Sequence, residues 1–165
     1  MNIIGIDPSL RHTGVALLSP NEVKLWQFDT NKDDHDYVCA KNMQRWLSCL
    51  LEQLYSPGTL ISFEMPTGSQ SARASKASGV VIGVLASVLD IYECHSFSVN
   101  AIKKFVGEPH IKGANRKKLN IRAAYELYPD APWDVCSKGL PKRKEEHKAD
   151  ALLLAHLLAV KLASD

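Results

Sequence analysis

The hydrophobic pattern opens with Ile3-Ile4-Gly5-Ile6, an apolar run of strand length that ends in a single carboxylate, Asp7, before a Pro8-Ser9 turn. Two further runs, residues 13–18 and 23–28, are joined by Ser19-Pro20-Asn21 and predict an antiparallel meander of three strands. Met43, Trp46, Leu47, Leu50, Leu51 and Leu54 recur at i, i+3, i+4, i+7, i+8 and i+11, which predicts a helix with one face on a sheet. Acidic residues 33–36 suit its N-terminus, and Pro57-Gly58 ends it. Residues 59–64 then repeat the opening pattern, an apolar run closed by one carboxylate, Glu64. In a βαβ arrangement the two strands run parallel and deliver Asp7 and Glu64 to one edge of the sheet, where α/β folds place their sites.

Residues 71–89 read as a helix with Ala74, Ala77, Val81, Val84, Leu85 and Val88 on one stripe, while Val80 and Ile82 lie off it. Small residues Ser78, Gly79 and Gly83 permit close approach of another backbone. The expectation is a helix buried on the sheet and against a second copy of the chain, with Ala74, Ala77, Val81, Val84 and Leu85 at that contact. Residues 91–95 predict a short strand, 99–106 a short helix, 115–127 a helix stopped by Pro129, and 133–144 a loop rich in Pro, Gly and Lys. On the last helix, from Glu145 onward, His147 and Asp150 project from one face of the first turn. Leu154, Leu157, Leu158 and Lys161 continue that face toward the sheet. No repeat or linker divides the chain, so residues 1–165 are read as one α/β domain.

Composition adds one feature. The net charge of +2 hides an uneven distribution: residues 103–144 hold 11 Lys and Arg against 4 Asp and Glu, whereas residues 1–102 hold 7 against 10. A basic third points to a polyanion, and Lys104, Lys112, Arg116, Lys117, Lys118, Lys142, Arg143 and Lys144 are the candidate DNA-binding cations. Cys39, Cys49, Cys94 and Cys136 are widely spaced with no C-x-x-C pair, which fits a reducing, cytoplasmic setting rather than a zinc knuckle or disulfide framework. The longest nearly apolar segment, residues 77–89, falls short of the ~20 residues that span a bilayer, so no membrane partner is expected.

Candidate chemistry rests on Asp7, Glu64, His147 and Asp150. Aspartate before proline starts turns routinely, but a second strand closing in Glu64 and a terminal helix opening with His147 and Asp150 argue for a shared site. Three carboxylates brought together repel unless cations neutralise them, and hard oxygen ligands select Mg²⁺ with Mn²⁺ as a substitute. Two such ions about 4 Å apart suit phosphodiester hydrolysis. An actin-like ATPase also begins with an apolar strand ending in Asp, but it needs two related lobes, so no nucleotide cofactor is expected.

Ile4-Gly5-Ile6-Asp7-Pro8-Ser9 with Thr13-Gly14, Ser62-Phe63-Glu64, residues 71–87, and His147-Lys148-Ala149-Asp150-Ala151-Leu152 together resemble, in order and spacing, the motifs of RuvC-type Holliday junction resolvases. The resemblance implies an RNase H-like fold: a central mixed five-stranded sheet, the first three strands antiparallel and the others parallel, flanked by helices. It also implies a homodimer that nicks opposed strands of a four-way junction with two Mg²⁺ ions per site, leaving 5′-phosphates. Asp7, Glu64 and Asp150 match the family's metal-binding carboxylates, and His147 falls where many members have a fourth aspartate, as ligand or general base. Lys104 and Lys117 or Lys118 match its phosphate-contacting lysines more loosely, and Thr67 takes the place of its base-stacking aromatic. A phage-encoded or organellar relative fits as well as a bacterial one. A non-catalytic branched-DNA-binding protein, and an RNase H-like nuclease acting on RNA–DNA hybrids, are the alternatives.

Overall fold

The computed structural model describes residues 1–66, 71–107 and 113–164. Five strands, β1 (Ile3–Asp7), β2 (His12–Leu18), β3 (Val23–Asp29), β4 (Leu60–Met65) and β5 (Cys94–Ser98), form one sheet in the order β3-β2-β1-β4-β5. β1–β2 and β2–β3 are antiparallel, while β1–β4 and β4–β5 are parallel. The mixed five-stranded sheet expected from the sequence is therefore present, with the apolar β1 at its centre. The last strand lies later than residues 91–95. Tyr92 N–H donates to Leu89 O in the turn that leaves the preceding helix, Ile91 is exposed, and Ile61 pairs with Cys94.

Side-chain alternation along β1 separates two cores. Ile4 and Ile6 face helices α1 (Asp36–Leu54) and α2 (Ala72–Leu89), where they meet Met43, Leu47, Leu51, Val81, Leu85 and Val88. Ile3, Gly5 and Asp7 face the opposite side, onto which α5 (Glu146–Ser164) packs. Helices α3 (Val99–Val106) and α4 (Ala114–Leu127) cover the far side of α5 through Ile102, Ile121, Ala124, Leu153 and Leu154. Because α5 is enclosed by sheet and helices, Ala149 through Ala155 are buried except Asp150, which is half-buried.

The sheet face under α5 is built from small residues. A Cβ on Gly5 would overlap the Ala151 carbonyl, and one on Gly14 would overlap the His147 carbonyl. Ala16, opposite Gly5, and Ser62, also opposite Gly5 on β4, are fully buried. The row of α5 on the sheet thus includes residues 147, 151, 155 and 158. This corrects the expected row: Leu154 packs toward α3 and α4, and Lys161 is exposed.

Helix α2 corrects two further expectations. Its 18 residues, with mean hydropathy 1.4, are long and apolar enough to cross a bilayer by length and composition, because residues 72–76 extend the run counted from residue 77. Its Val81, Val84, Leu85, Val88 and Leu89 nevertheless pack into the chain's own core. Three of the five residues assigned to a contact between copies, Val81, Val84 and Leu85, are therefore spent internally, while Ala74 and Ala77 are half-buried. The outward face carries Ser75, Gly79, Ile82, Gly83 and Ala86.

Replacing Gly5 or Gly14 with alanine is expected to destabilise the protein by more than ~2 kcal/mol in urea unfolding, since backbone on backbone cannot rearrange cheaply. A loss within 0.5 kcal/mol for both, at about the noise of surface substitutions, would contradict this packing.

Candidate active site

The β1 register ends with Asp7 opposite Gly14, and the parallel partner β4 carries Glu64 to the same edge and the same face. α5 begins directly above, so His147 and Asp150 descend into the space between them. Asp7, Glu64, His147 and Asp150 line one cavity of about 310 Å³. Val99, Ile102 and Lys103 from α3, and Arg116, Lys117 and Asn120 from α4, complete its wall with Gly113 and Glu146.

Three direct bonds order this cavity. Asp7 Oδ2 lies 2.6 Å from His147 Nδ1. Asn120 Nδ2 donates to Asp150 Oδ1 at 2.8 Å, and Lys117 Nζ pairs with Glu146 Oε1 at 2.6 Å. A second layer sits behind His147: its ring stacks on His12 at 5.5 Å between centroids, and His12 Nδ1 meets Asp29 Oδ1 at 2.8 Å across the β2–β3 pair.

The electrostatics follow from packing acids together under a helix. Burial, reinforced by the nearby Asp7 charge, pushes Glu64 up to about 7, with Lys103 and His147 opposing. Asp150 is raised well above the ordinary carboxylate range, first by burial and then by Asp7, against the hydrogen bond from Asn120. Burial pushes the His147 imidazole down, but its bond to Asp7 and the surrounding acids outweigh that and leave it raised.

RuvC of Thermus thermophilus in complex with a Holliday junction substrate superimposes with a TM-score of 0.71 at 12% identity, covering 99% of this chain and 96% of that one. A second Thermus thermophilus RuvC structure gives 0.68 at 15% identity over the same shares. The chain has the RuvC fold. No family model matches its sequence, and no curated protein resembles it in sequence, so the likeness is one of architecture.

Within that RuvC fold the four predicted site residues come together, while the predicted cations divide. Arg116 is buried at the cavity wall, where its Nη1 donates to Gly107 O, and Lys117 also reaches the wall. Arg143 and Lys144 line an adjoining trough of about 500 Å³ with His12, Gln27, Asp29 and His147, and Lys117 and Glu146 border both spaces. Lys142 Nζ pairs with Asp134 Oδ1 at 2.7 Å, and Lys144 with the other oxygen, which pulls Asp134 down to about 2. Lys104 and Lys118 are exposed and do not line the cavity, and Lys112 and Thr67 lie outside the described residues. Lys103, Asn120 and His12 are site residues that the sequence reading missed. The first two were readable: Val99, Ile102 and Lys103 share one helical face, as do Arg116, Lys117 and Asn120, whereas His12 depended on strand register.

The donor set fits a hard divalent cation by its chemistry. Three carboxylates and an imidazole share one cavity, and burial followed by repulsion from Asp7 makes two of the acids hold their protons more tightly than usual. Among the described residues no three of His, Cys, Asp or Glu are close enough to hold an ion as they stand. One Asp7 oxygen is instead taken by His147.

The raised Glu64 gives a stability test in the absence of divalent ions. A folded acid titrating near 7 rather than 4.5 binds its proton more tightly than the unfolded chain, so its destabilising effect is absent below pH 4.5 and complete above 7. Glu64→Gln should raise Tm by roughly 3 °C or more at pH 8, with the gain fading toward pH 4.5. Equal melting of the two proteins at pH 8 would contradict the electrostatics.

Proposed function

We propose that this protein is a structure-selective endodeoxyribonuclease that cuts four-way, and other branched, DNA by metal-dependent phosphodiester hydrolysis. The observation that carries the reading is the convergence of Asp7, Glu64, His147 and Asp150 in one cavity, bordered by Lys103, Arg116 and Lys117 and opening beside a trough with Arg143 and Lys144. The shared architecture with a RuvC solved on a Holliday junction supports the choice of substrate.

Asp7, Glu64 and Asp150, with His147, would hold Mg²⁺ or Mn²⁺, which supplies Lewis-acid polarisation of the phosphate and a more acidic water. The chain's own residues do the rest. Lys103, Lys117 and Arg143 draw the phosphodiester to the mouth of the cavity and offset its charge beside the acids. The Nδ1 bond to Asp7 fixes the His147 ring, its stacking on His12 supports that pose, and Nε2 is the nitrogen that Asp7 leaves unengaged. Water attacks phosphorus, the P–O3′ bond breaks, and the products carry a 3′-hydroxyl and a 5′-phosphate.

Two opposed nicks call for two sites, which a homodimer provides. The outward face of α2 suits a second copy: Gly79 and Gly83 have open space above them and Ile82 is exposed. Sedimentation should give a dimer for the wild-type chain and a monomer for Ile82→Arg, and a wild-type monomer at micromolar concentration would overturn this part. Asp7→Asn should lower cleavage of a synthetic four-way junction in Mg²⁺ at least ~100-fold, a loss of ~2.7 kcal/mol in transition-state stabilisation, while retaining junction binding. Undiminished cleavage would refute the site.

A further inference from the structure

A cleft of about 560 Å³ that the proposed mechanism does not use lies between α4 and the segment before α5. Ile121 and Tyr125 of α4 line one side, and Leu140 and Pro141 line the other. Leu140 stays 53% exposed, so the described chain leaves this apolar surface open. The wall that carries Leu140 is held by its own bonds: Val135 and Pro141 form an antiparallel bridge, Cys136 N–H donates to Leu140 O, and Lys142 N–H donates to Asp134 O. Asp134 N–H reaches the buried Glu145, which Lys148 of α5 pairs at 2.9 Å. The cleft is therefore built into the protein alone. Lys118, Arg122 and Arg143 border it against one acid, Glu126, whose Oε1 accepts from Arg122 Nε at 2.7 Å.

We propose that this cleft binds an unpaired nucleotide of the DNA, with the base against Tyr125, Leu140 and Pro141 and the phosphates against Lys118 and Arg143. The inference rests on the nuclease reading and names a second place where that substrate is held. An apolar slot with an aromatic side chain and a cationic border suits a ligand that has a flat face and an anionic backbone, which is how single strands are bound without regard to sequence. Position favours a strand over an acidic peptide. Arg143 lines both this cleft and the trough that adjoins the catalytic cavity, so a strand that follows the trough outward meets the cleft at Arg143. In a duplex the base faces are covered by their neighbours, and only phosphates remain to meet the protein. The cleft thus selects strands unpaired near a branch.

Fluorescence anisotropy of the full chain in EDTA tests this with a short labelled oligothymidylate and an abasic strand of the same length. Both strands carry the same phosphates, so the ratio of their affinities isolates what the bases contribute. Stacking on an aromatic side chain is worth roughly 5- to 150-fold per base, and wild type should prefer the oligothymidylate by at least ~5-fold. Tyr125→Leu keeps an apolar side chain without the ring, and Leu140→Ser alters an exposed residue that the fold does not need; melting establishes that both are folded. Each should bring the ratio to within about twofold of one, while affinity for the abasic strand, set by phosphate contacts, stays within about twofold of wild type. Equal affinity of wild type for the two strands overturns the proposal and leaves the cleft to a protein partner. An unchanged ratio in either folded variant also overturns it, by placing the base contact elsewhere. Junction cleavage by wild type is followed in parallel: cutting without base preference refutes the cleft alone, whereas base preference lost in the variants, with no cutting in Mg²⁺ or Mn²⁺, supports the cleft and refutes the nuclease reading.

Discussion

The close seating of α5 on the sheet is the constraint on which the rest depends. Gly5 and Gly14 leave no side chain between β1–β2 and the helix, so the carbonyls of Ala151 and His147 rest almost on the strands. Any larger residue would lift the helix and carry its first turn away from the strand ends. Asp7 sits two residues after Gly5 and directly opposite Gly14, so the same contact that packs the core also sets the reach of His147 Nδ1 to Asp7 Oδ2. Stability and site geometry share one cause.

That seating has an electrostatic consequence. Bringing Glu64 of β4 and Asp150 of α5 together against Asp7 removes solvent from groups that repel one another, and both acids respond by holding protons more tightly. Lys103 and His147 compensate only in part. The fold therefore maintains an arrangement that disfavours its own ionised state, as expected where local structure serves binding rather than stability. The cations nearby are restrained too: Lys117 by Glu146, and Lys142 and Lys144 by Asp134.

Much of this was legible in the chain. Two apolar strands each ending in one acid gave Asp7 and Glu64 a common edge, and helical spacing put His147 and Asp150 in one turn. Period-2 and period-3.6 patterns located β1 through β4 and all five helices within a few residues. The misses have physical reasons. Glycine inside a strand reads as a weak point, and its meaning at Gly5 and Gly14 depends on a helix some 140 residues away. The stripe of α2 was assigned outward in part because apolarity does not say which neighbour will bury it. His12 meets Asp29 only through the β2–β3 register, and Asn120 is a polar residue whose value appears once α4 is laid against α5.

Hydrolysis of branched DNA in this cavity is the proposed activity. It is tested most directly by incubating the wild-type protein with a synthetic four-way junction, an RNA–DNA hybrid and a linear duplex of matched sequence, each with Mg²⁺ or Mn²⁺, and mapping the product ends. Paired nicks on opposed strands of the junction, 5′-phosphate ends, and little cutting of the linear duplex or the hybrid are expected. Preferential cutting of the hybrid, or binding to the junction with no cleavage in either ion, would contradict it.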